Sequence, residues 1–490
     1  MSIKRYVANK DTTITNAFKS SLTSRGTGSN MGFSDVAEVF SIYGQTTTGS
    51  AAIETTELAR MLFEFPVSSS TDSILADRNT GAIPVSGSVD FYLRLYNAKH
   101  AFTLPRDFTL VVAPASQSWD EGIGLDMEDY SDLDTSNWIN ASNGTAWTSY
   151  GGDFHTGAYV AGSTLPRYTS SFVTGLEDME LNITSLVEEW LAAGSSAARQ
   201  NYGIGVYLTS SQEAYFSSST GLDDTATFEL HNTDGAAKSY YTKKFFARGT
   251  EFFFKRPVIE ARWDSSKKDN AGNFYLSSSL ATAADNLNIL YMYNFVRGQL
   301  KDIPGLGSDN SFLLSVYSSL GGSKITLPVG GDVAVNNDSN VSGGLVTTGI
   351  YSASFAYTGS ATTIYPVWHS GSTEYHTGSA ITVNTLLASN VNPNPKHVTK
   401  ITNLKPIYDR DENARFRLYA RQKDWSPTIY TKASANIQTE IIEDAYFKIF
   451  RVIDDLEVVP YGTGSLNHTR LSYDISGSYF DLDMSLLEAD

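Results

Sequence analysis

Short runs in which apolar and polar side chains alternate recur along almost the whole of this 490-residue chain, each closed by Gly, Ser, Asn or Asp. Successive strand side chains point to opposite faces, so a period of two commits a segment to a strand with one buried face. In residues 88–96, Val89, Phe91, Leu93 and Leu95 would share that face; residues 58–67 repeat the pattern, and 108–112 form a further run closed by Pro114. Tyr, Phe, Thr, Val and Ile fill the runs. The expected class is all-β, built as sandwiches and not as alternating strands and helices.

One segment departs from this period. Ser185 and Glu188 have the spacing of a capping box, and Leu186, Val187, Trp190 and Leu191 fall on one helical face while Glu188 and Glu189 point to water. A helix of about two turns does not persist alone. It is expected to pack on the strand at 203–208, whose Ile204, Val206 and Leu208 share one face.

At roughly 100–200 residues per domain, the length suggests about three. Residues 1–265 read as a jelly-roll-like β-sandwich carrying the short helix. Two smaller immunoglobulin-like sandwiches follow at 266–392 and 393–490, the last without an evident closing strand and so incomplete at its C-terminus. Strands are expected at 288–296, 312–317, 349–357 and 362–368, then at 415–420, 445–453 and 479–482, with the polar stretch 264–273 as the first boundary and Asn-Val-Asn-Pro-Asn-Pro at 390–395 as a linker. Residues 240–254 read as two aromatic strands joined at Arg248-Gly249, followed by a strand at 258–263. Adjacent aromatics on a strand cannot all face one core. Tyr240, Tyr241, Phe245, Phe246, Phe252, Phe253 and Phe254 are therefore the candidates for contact with other subunits.

Composition removes several classes of function. Acidic residues outnumber basic ones 53 to 36, giving a net charge of −17, which argues against nucleic acid or an anionic membrane as partner. No cysteine is present, which eliminates disulfides, thiol catalysis and Cys-based metal sites. No run approaches the ~20 apolar residues that span a bilayer. The opening MSIKRYVANKDTT lacks an apolar run of signal-peptide length, so assembly in a cytoplasm, or exit by a route other than ordinary secretion, is expected. The seven histidines make no metal-ligand spacing; His369 and His376 would face each other across a hairpin turn. No nucleophile elbow or phosphate loop is present, so the chain reads as non-enzymatic and without a cofactor. Asp120, Glu121, Asp126, Glu128 and Asp129 form the densest carboxylate cluster and the first candidate for a hard cation such as calcium; the stretch 264–273 has Asp, Asn and Gly but lacks a terminal bidentate Glu.

An ordered set of signatures runs through residues 1–265. Asn30-Met31-Gly32 precedes the strand at 39–43, and the strands at 58–65 and 88–96 follow. Trp119-Asp120-Glu121-Gly122 comes next, then Trp147, Gly151-Gly152-Asp153, Ile183-Thr184-Ser185-Leu186-Val187 with Trp190, and the strand at 203–208. This part resembles the DNRLRE-type β-sandwich, a relative of family-6-type carbohydrate-binding modules. The resemblance implies that Trp119 and Trp190 are core residues, that calcium could be structural, and that exposed Trp138 or Trp147 could stack on a glycan.

The whole chain further resembles virion structural proteins of large contractile-tailed bacteriophages, those of cyanobacteria above all. The residues concerned are IKRY at 3–6, RGTGSNMG at 25–32, GLDMEDY at 124–130, SYYTKKFFARGTEFF at 239–253 and KRPVIEARWDSS at 255–266. It implies a structural protein of the virion, in the tail, baseplate or fibre-attachment region, assembled in the host cytoplasm. Its partners would be other virion proteins and copies of itself. The alternative is an adhesin for host-surface glycan.

Overall fold

The computed structural model describes residues 2–48, 51–100, 106–127, 135–155, 167–192, 200–306, 312–327, 340–386, 392–425, 428–429, 439–462 and 466–488. Strands make up 40% of the chain and helices 7%, which places it in the all-β class. Among the described residues no helix is long and apolar enough to cross a membrane. The chain divides into two compact units, residues 2–264 with 486–490, and residues 265–485.

The first unit contains, in chain order, β1 (Ile3–Val7), β2 (Lys10–Thr15), β3 (Val36–Thr48), β4 (Ala51–Glu64), α1 (Ile74–Thr80), β5 (Asp90–Leu95), β6 (Phe108–Pro114), β7 (Asn140–Ser142) and β8 (Thr145–Ala146). It continues with β9 (Tyr168–Phe172), β10 (Met179–Asn182), α2 (Thr184–Ala192), β11 (Ile204–Leu208), β12 (Tyr240–Phe246) and β13 (Val258–Arg262). One sheet has the order β1-β13-β5-β10. The other has the order β12-β3-β4-β11-β6-β9, with β2 also pairing β4. If β1, β4, β5, β6, β9, β10, β11 and β13 are numbered one to eight, the sheets run 1-8-3-6 and 2-7-4-5. Two interlocked Greek keys give that order in a jelly roll, and β12 and β3 widen the second sheet at its β4 edge.

One core fills the space between the sheets. It takes Phe91, Leu93 and Leu95 from β5, Met61 and Phe63 from β4, and Ile204, Val206 and Leu208 from β11. Leu186, Val187 and Trp190 of α2 join it, with Leu191 packed against it, so the amphipathic face read from sequence is the face that is buried. The capping box is not formed. The helix begins at Thr184, which leaves Ser185 inside the first turn, 2.7 Å from the Tyr168 hydroxyl. That hydroxyl also accepts the Leu186 N–H (3.2 Å), while the partly buried Glu188 carboxylate is held by both terminal nitrogens of Arg78 (2.8 and 2.6 Å). Arg78 lies on α1, a helix that the alternation pattern did not reveal. Ser73 caps its start by accepting the Ala76 N–H (3.1 Å), and Gly81, at φ +77°, closes it.

The irregular tryptophan-rich stretch is a second hydrophobic layer. Residues 115–127 and 135–155 lie over the outer face of the larger sheet, where Leu58, Leu62 and Ile14 meet Trp119, Trp138 and Trp147. Each indole N–H donates to a backbone carbonyl: Trp119 to Tyr202 (2.9 Å), Trp138 to Phe228 (2.9 Å) and Trp147 to Asn137 (2.8 Å). The Gly151-Gly152-Asp153 signature is the turn that closes this layer. Gly151 and Gly152 have φ of +79° and +102°, and Asp153 accepts the N–H groups of Thr148 and Ser149 (2.7 and 2.9 Å).

The second unit contains β14 (Asn288–Tyr293), β15 (Phe295–Val296), β16 (Gln299–Leu300), β17 (Leu313–Tyr317), β18 (Val341–Ser342), β19 (Gly344–Thr347), β20 (Ile350–Phe355), β21 (Thr363–Ser370), β22 (Thr373–Thr377) and β23 (Ile381–Thr382). Beyond these come β24 (His397–Ile401), β25 (Asn413–Gln422), β26 (Ile449–Phe450), β27 (Glu457–Val459), β28 (Ser472–Asp474) and β29 (Gly477–Asp483). Sheets β14-β20-β19 and β18-β17-β21-β22 enclose a core that includes Leu290, Phe355, Leu314 and Trp368. A further sheet has the order β24-β25-β29-β28. The stretch 264–273 is not a free boundary segment, since Lys267 N–H donates to Ser472 Oγ (3.0 Å), Tyr473 N–H to Lys267 O (2.9 Å) and Asp269 N–H to Tyr473 O (3.1 Å). The strand expected at 445–453 shortens to β26. The linker 390–395 falls partly outside the described residues.

Gly151 separates two costs of substitution. A Cβ there meets Trp138 at 2.7 Å and also adopts positive φ, whereas Gly144, at φ +72°, faces open space. Gly144→Ala should lose roughly 1–3 kcal/mol from backbone strain alone. Gly151→Ala should lose a further 1–3 kcal/mol or so by overpacking. Equal shifts of the urea midpoint for the two variants would show that the Trp138 contact contributes nothing.

Candidate interaction surface

β12 sorts the aromatic segment by strand alternation. Phe245 is fully buried and Tyr241 packs against the core, with Phe172 and Phe108 as ring neighbours (6.2 and 6.1 Å between centroids). Tyr240 is exposed and Phe246 half-buried on the other face. Between the two core rings lies Lys243, wholly buried, with its ammonium 4.9 Å from both Phe172 and Phe245. Its three protons go to Asn97 Oδ1 (2.7 Å), Gly175 O (2.9 Å) and Glu177 O (2.8 Å). Burial nevertheless draws it down to about 8, against the pull of Asp178 and Glu177. Alternation puts this lysine on the face of Tyr241 and Phe245 and its neighbour Lys244 on the other, where it pairs with Glu38.

After Phe246 the chain leaves the sheet. The second aromatic strand expected through 250–254 is instead a turn that ends in a 3₁₀ segment, Phe253–Lys255. Phe252 (45% exposed) meets Phe246 edge to face at 5.5 Å with the Lys255 ammonium over both rings, and Phe253 (40% exposed) meets Phe254 at 5.3 Å with Arg256 over it. Phe33 is 54% exposed, and Ile123 and Leu125 are also exposed. Backbone contacts bring these segments together: Phe33 N–H donates to Gly124 O (2.9 Å), and a Cβ on Gly249 would lie 2.8 Å from Ser34 O. Three loops that each carry exposed apolar side chains are thus joined through their backbones.

Charge fixes those loops. Arg248 holds Glu121 through Nη2 (2.6 Å) and Nε (3.2 Å), Glu121 accepts the Asp11 N–H (2.8 Å), and the Arg248 N–H donates to Asp11 Oδ2. Asn30 Oδ1 accepts the N–H groups of Gly124 (2.9 Å) and Gly32 (3.3 Å). Asp11 is 1% exposed, and its Oδ1 has no hydrogen-bond partner. Burial pushes its carboxyl up to about 7, opposed by the Arg248 N–H and reinforced by the Glu121 charge.

The other candidates lie elsewhere. Trp138 and Trp147 are buried core residues, so the expectation of exposed stacking faces is corrected: the sheet face beneath them supplied more apolar area than solvent leaves uncovered. Beside them a cleft of about 670 Å³ exposes the Tyr207 and Phe154 rings (5.1 Å apart), but its Arg60 is consumed by Glu213 at 3.0 and 3.1 Å. Of the acidic cluster, Asp120 is exposed, Glu121 is bound to Arg248, Asp126 stands in the same loop, and Glu128 and Asp129 lie outside the described residues. Among the described residues no three metal-ligating side chains gather. His369 is opposite Glu374, not His376, and its Nε2 lies 2.7 Å from the wholly buried Ser315 hydroxyl. The chain matches no family model, no curated protein and no solved structure. The two resemblances therefore rest on the residues quoted above.

Two carboxyls divide the acid range. Glu260, wholly buried among Arg94, Arg5 and Arg262, is held well below the usual carboxylate range once these charges overcome its desolvation. Its contribution is present above the unfolded value of about 4.3 and is lost as pH falls below it. Asp11 is raised, so its contribution is full below about 3.9 and is lost as pH rises towards 7. Asp11→Asn should flatten the fall in stability between about pH 4 and 7 and leave the acid limb unchanged. Urea midpoints across pH read both, and an unaltered slope in that window would contradict the role given to Asp11.

Proposed function

We propose that this chain is a non-enzymatic structural component of a tailed-bacteriophage virion, in the tail, baseplate or fibre-attachment region, acting by subunit packing. The observation that carries the packing role is the exposure of Phe33, Ile123, Leu125, Phe252 and Phe253 on three loops tied together by their backbones. Contiguous exposed apolar area with a charged rim is what protein interfaces use, and aromatic anchors with arginine dominate their energetics. The surface is fixed before any partner arrives, because Arg248, Glu121 and Asp11 tie its loops together. The virion assignment is supported by the resemblance over the full chain. The partners are other virion proteins and further copies of the chain, assembled in the host cytoplasm.

An adhesin reading draws no support from Trp138 or Trp147, which have no solvent-facing ring. The test of the packing role is hydroxyl-radical footprinting of the isolated chain and of intact particles. Phe252 and Phe253 should lose reactivity about tenfold on assembly, as desolvated anchors at an interface centre do. Tyr215, exposed in the loop after β11 and not among the interface candidates, serves as the reference. Unchanged reactivity of both phenylalanines in the particle would sink the assignment.

A further inference from the structure

We propose that a cleft in the second unit, between the segment 272–275 and the end of β25, is a binding site for an uncharged saccharide. The cleft has a volume of about 600 Å³, within the range of roughly 300–1,000 Å³ typical of small-molecule sites. One wall is built from two extended segments bridged at Tyr275 and Asn384, where Leu276 N–H donates to Asn384 O and Asn384 N–H to Phe274 O (both 2.8 Å). The opposite wall is the end of β25, with Arg421, Gln422 and Trp425, whose N–H donates to Gln422 O (3.3 Å). Glu440 is positioned between by its own N–H on Ala420 O (2.8 Å), by Gln422 Nε2 (3.2 Å) and by His397 Nε2 (3.4 Å).

The chemistry of the lining selects the ligand. The Trp425 indole N–H, the Tyr275 hydroxyl and the Asn384 amide line the cleft without a hydrogen-bond partner among the described residues, so one donor, one donor–acceptor and one amide await a ligand. Among the described lining residues Arg421 and Glu440 cancel in charge, which leaves no excess cation there for a phosphate or carboxylate. Among the same residues Ile441 and Ile475 are the only aliphatic side chains, too few to desolvate an apolar ligand. A sugar presents neutral hydroxyls to amide, phenol and indole groups, and its C–H face packs on an aromatic ring. This reading stands apart from the packing role: it uses no residue of the aromatic surface.

The test is an array of neutral mono- to tetrasaccharides probed with the full chain, followed by titration of any ligand bound while tryptophan fluorescence is recorded. Trp425→Ala and Asn384→Ala should each weaken binding about tenfold or more at an unchanged melting temperature. Trp425→Phe, which keeps a ring and deletes the indole N–H, should lose less and guards against a folding defect. Tyr207→Ala, in the cleft of the other unit, should bind as the parent does. Absence of binding to every neutral saccharide, binding to acidic saccharides alone, or loss only on Tyr207→Ala would each overturn the proposal. None of these outcomes alters the footprint expected of Phe252 and Phe253.

Discussion

The larger sheet of the first unit is buried on both faces along β4, and the rest of that unit answers to this. Along β4, Met61 and Phe63 enter the core between the sheets while Leu58 and Leu62 enter the tryptophan layer outside it. A strand buried on both sides has no solvated face on which to place a charge, and an unpaired buried charge is costly enough that each must find a partner. Arg60 lies on β4 between Leu58 and Leu62 and is matched by Glu213, its guanidinium lying 5.0 Å from the Tyr207 ring. Arg25 and Glu229 form a second such pair (3.3 Å), and Lys243 replaces water with three oxygen acceptors.

The smaller sheet repeats the solution at higher charge density. Glu260 has no exposed surface and is approached by Arg262 (2.6 Å), Arg5 (2.9 Å) and Arg94 (3.1 Å), while Glu180 takes up the remaining guanidinium donors at 2.9 and 3.5 Å. These residues come from β1, β5, β10 and β13, so the cluster spans every strand of its sheet. Pairs of this kind are weak evidence of net stability, because desolvation offsets much of the attraction. They do penalise alternatives. Slipping any one of the four strands by one residue would move its charge to the core face and strand the others.

How far the sequence could be read depends on whether a residue's role is set by its own segment. Period-two alternation located β5, β4 and β6, and helical spacing located the buried face of α2, because both patterns are local. The cap of α2 was misread because Ser185 and Glu188 satisfy a local rule while their partners, Tyr168 and Arg78, come from other elements. Trp119 was legible as a buried residue, but Trp138 and Trp147 were not, since nothing near them in sequence reveals that β4 and β2 need a cover. Alternation required the aromatics of β12 to divide between two faces without saying which would be buried, and Tyr241 and Phe245 are the pair on the core face. It failed beyond Ala247, where Arg248 commits its N–H to Asp11 and thereby leaves the ladder. Asp11 gave no signal, and the parity that puts Lys243 beside Tyr241 and Phe245 does not reveal its oxygen acceptors, which come from distant parts of the chain.

The aromatic surface gains its significance from the charge that surrounds it. A chain with a net charge of −17 repels copies of itself and other acidic subunits at ordinary separations. Association then needs a region where the local field is reversed and where desolvation is favourable. The turn after β12 meets both conditions: Lys255 and Arg256 lie over Phe246, Phe252 and Phe253, so the cations and the apolar area coincide. Their positions over the rings also limit what binding must immobilise, because rings already held by cations and by neighbouring rings surrender little further freedom on docking. A flexible loop with the same composition would forfeit much of that affinity to ordering. The buried tie of Arg248, Glu121 and Asp11 is therefore as much a part of the surface as the rings it presents.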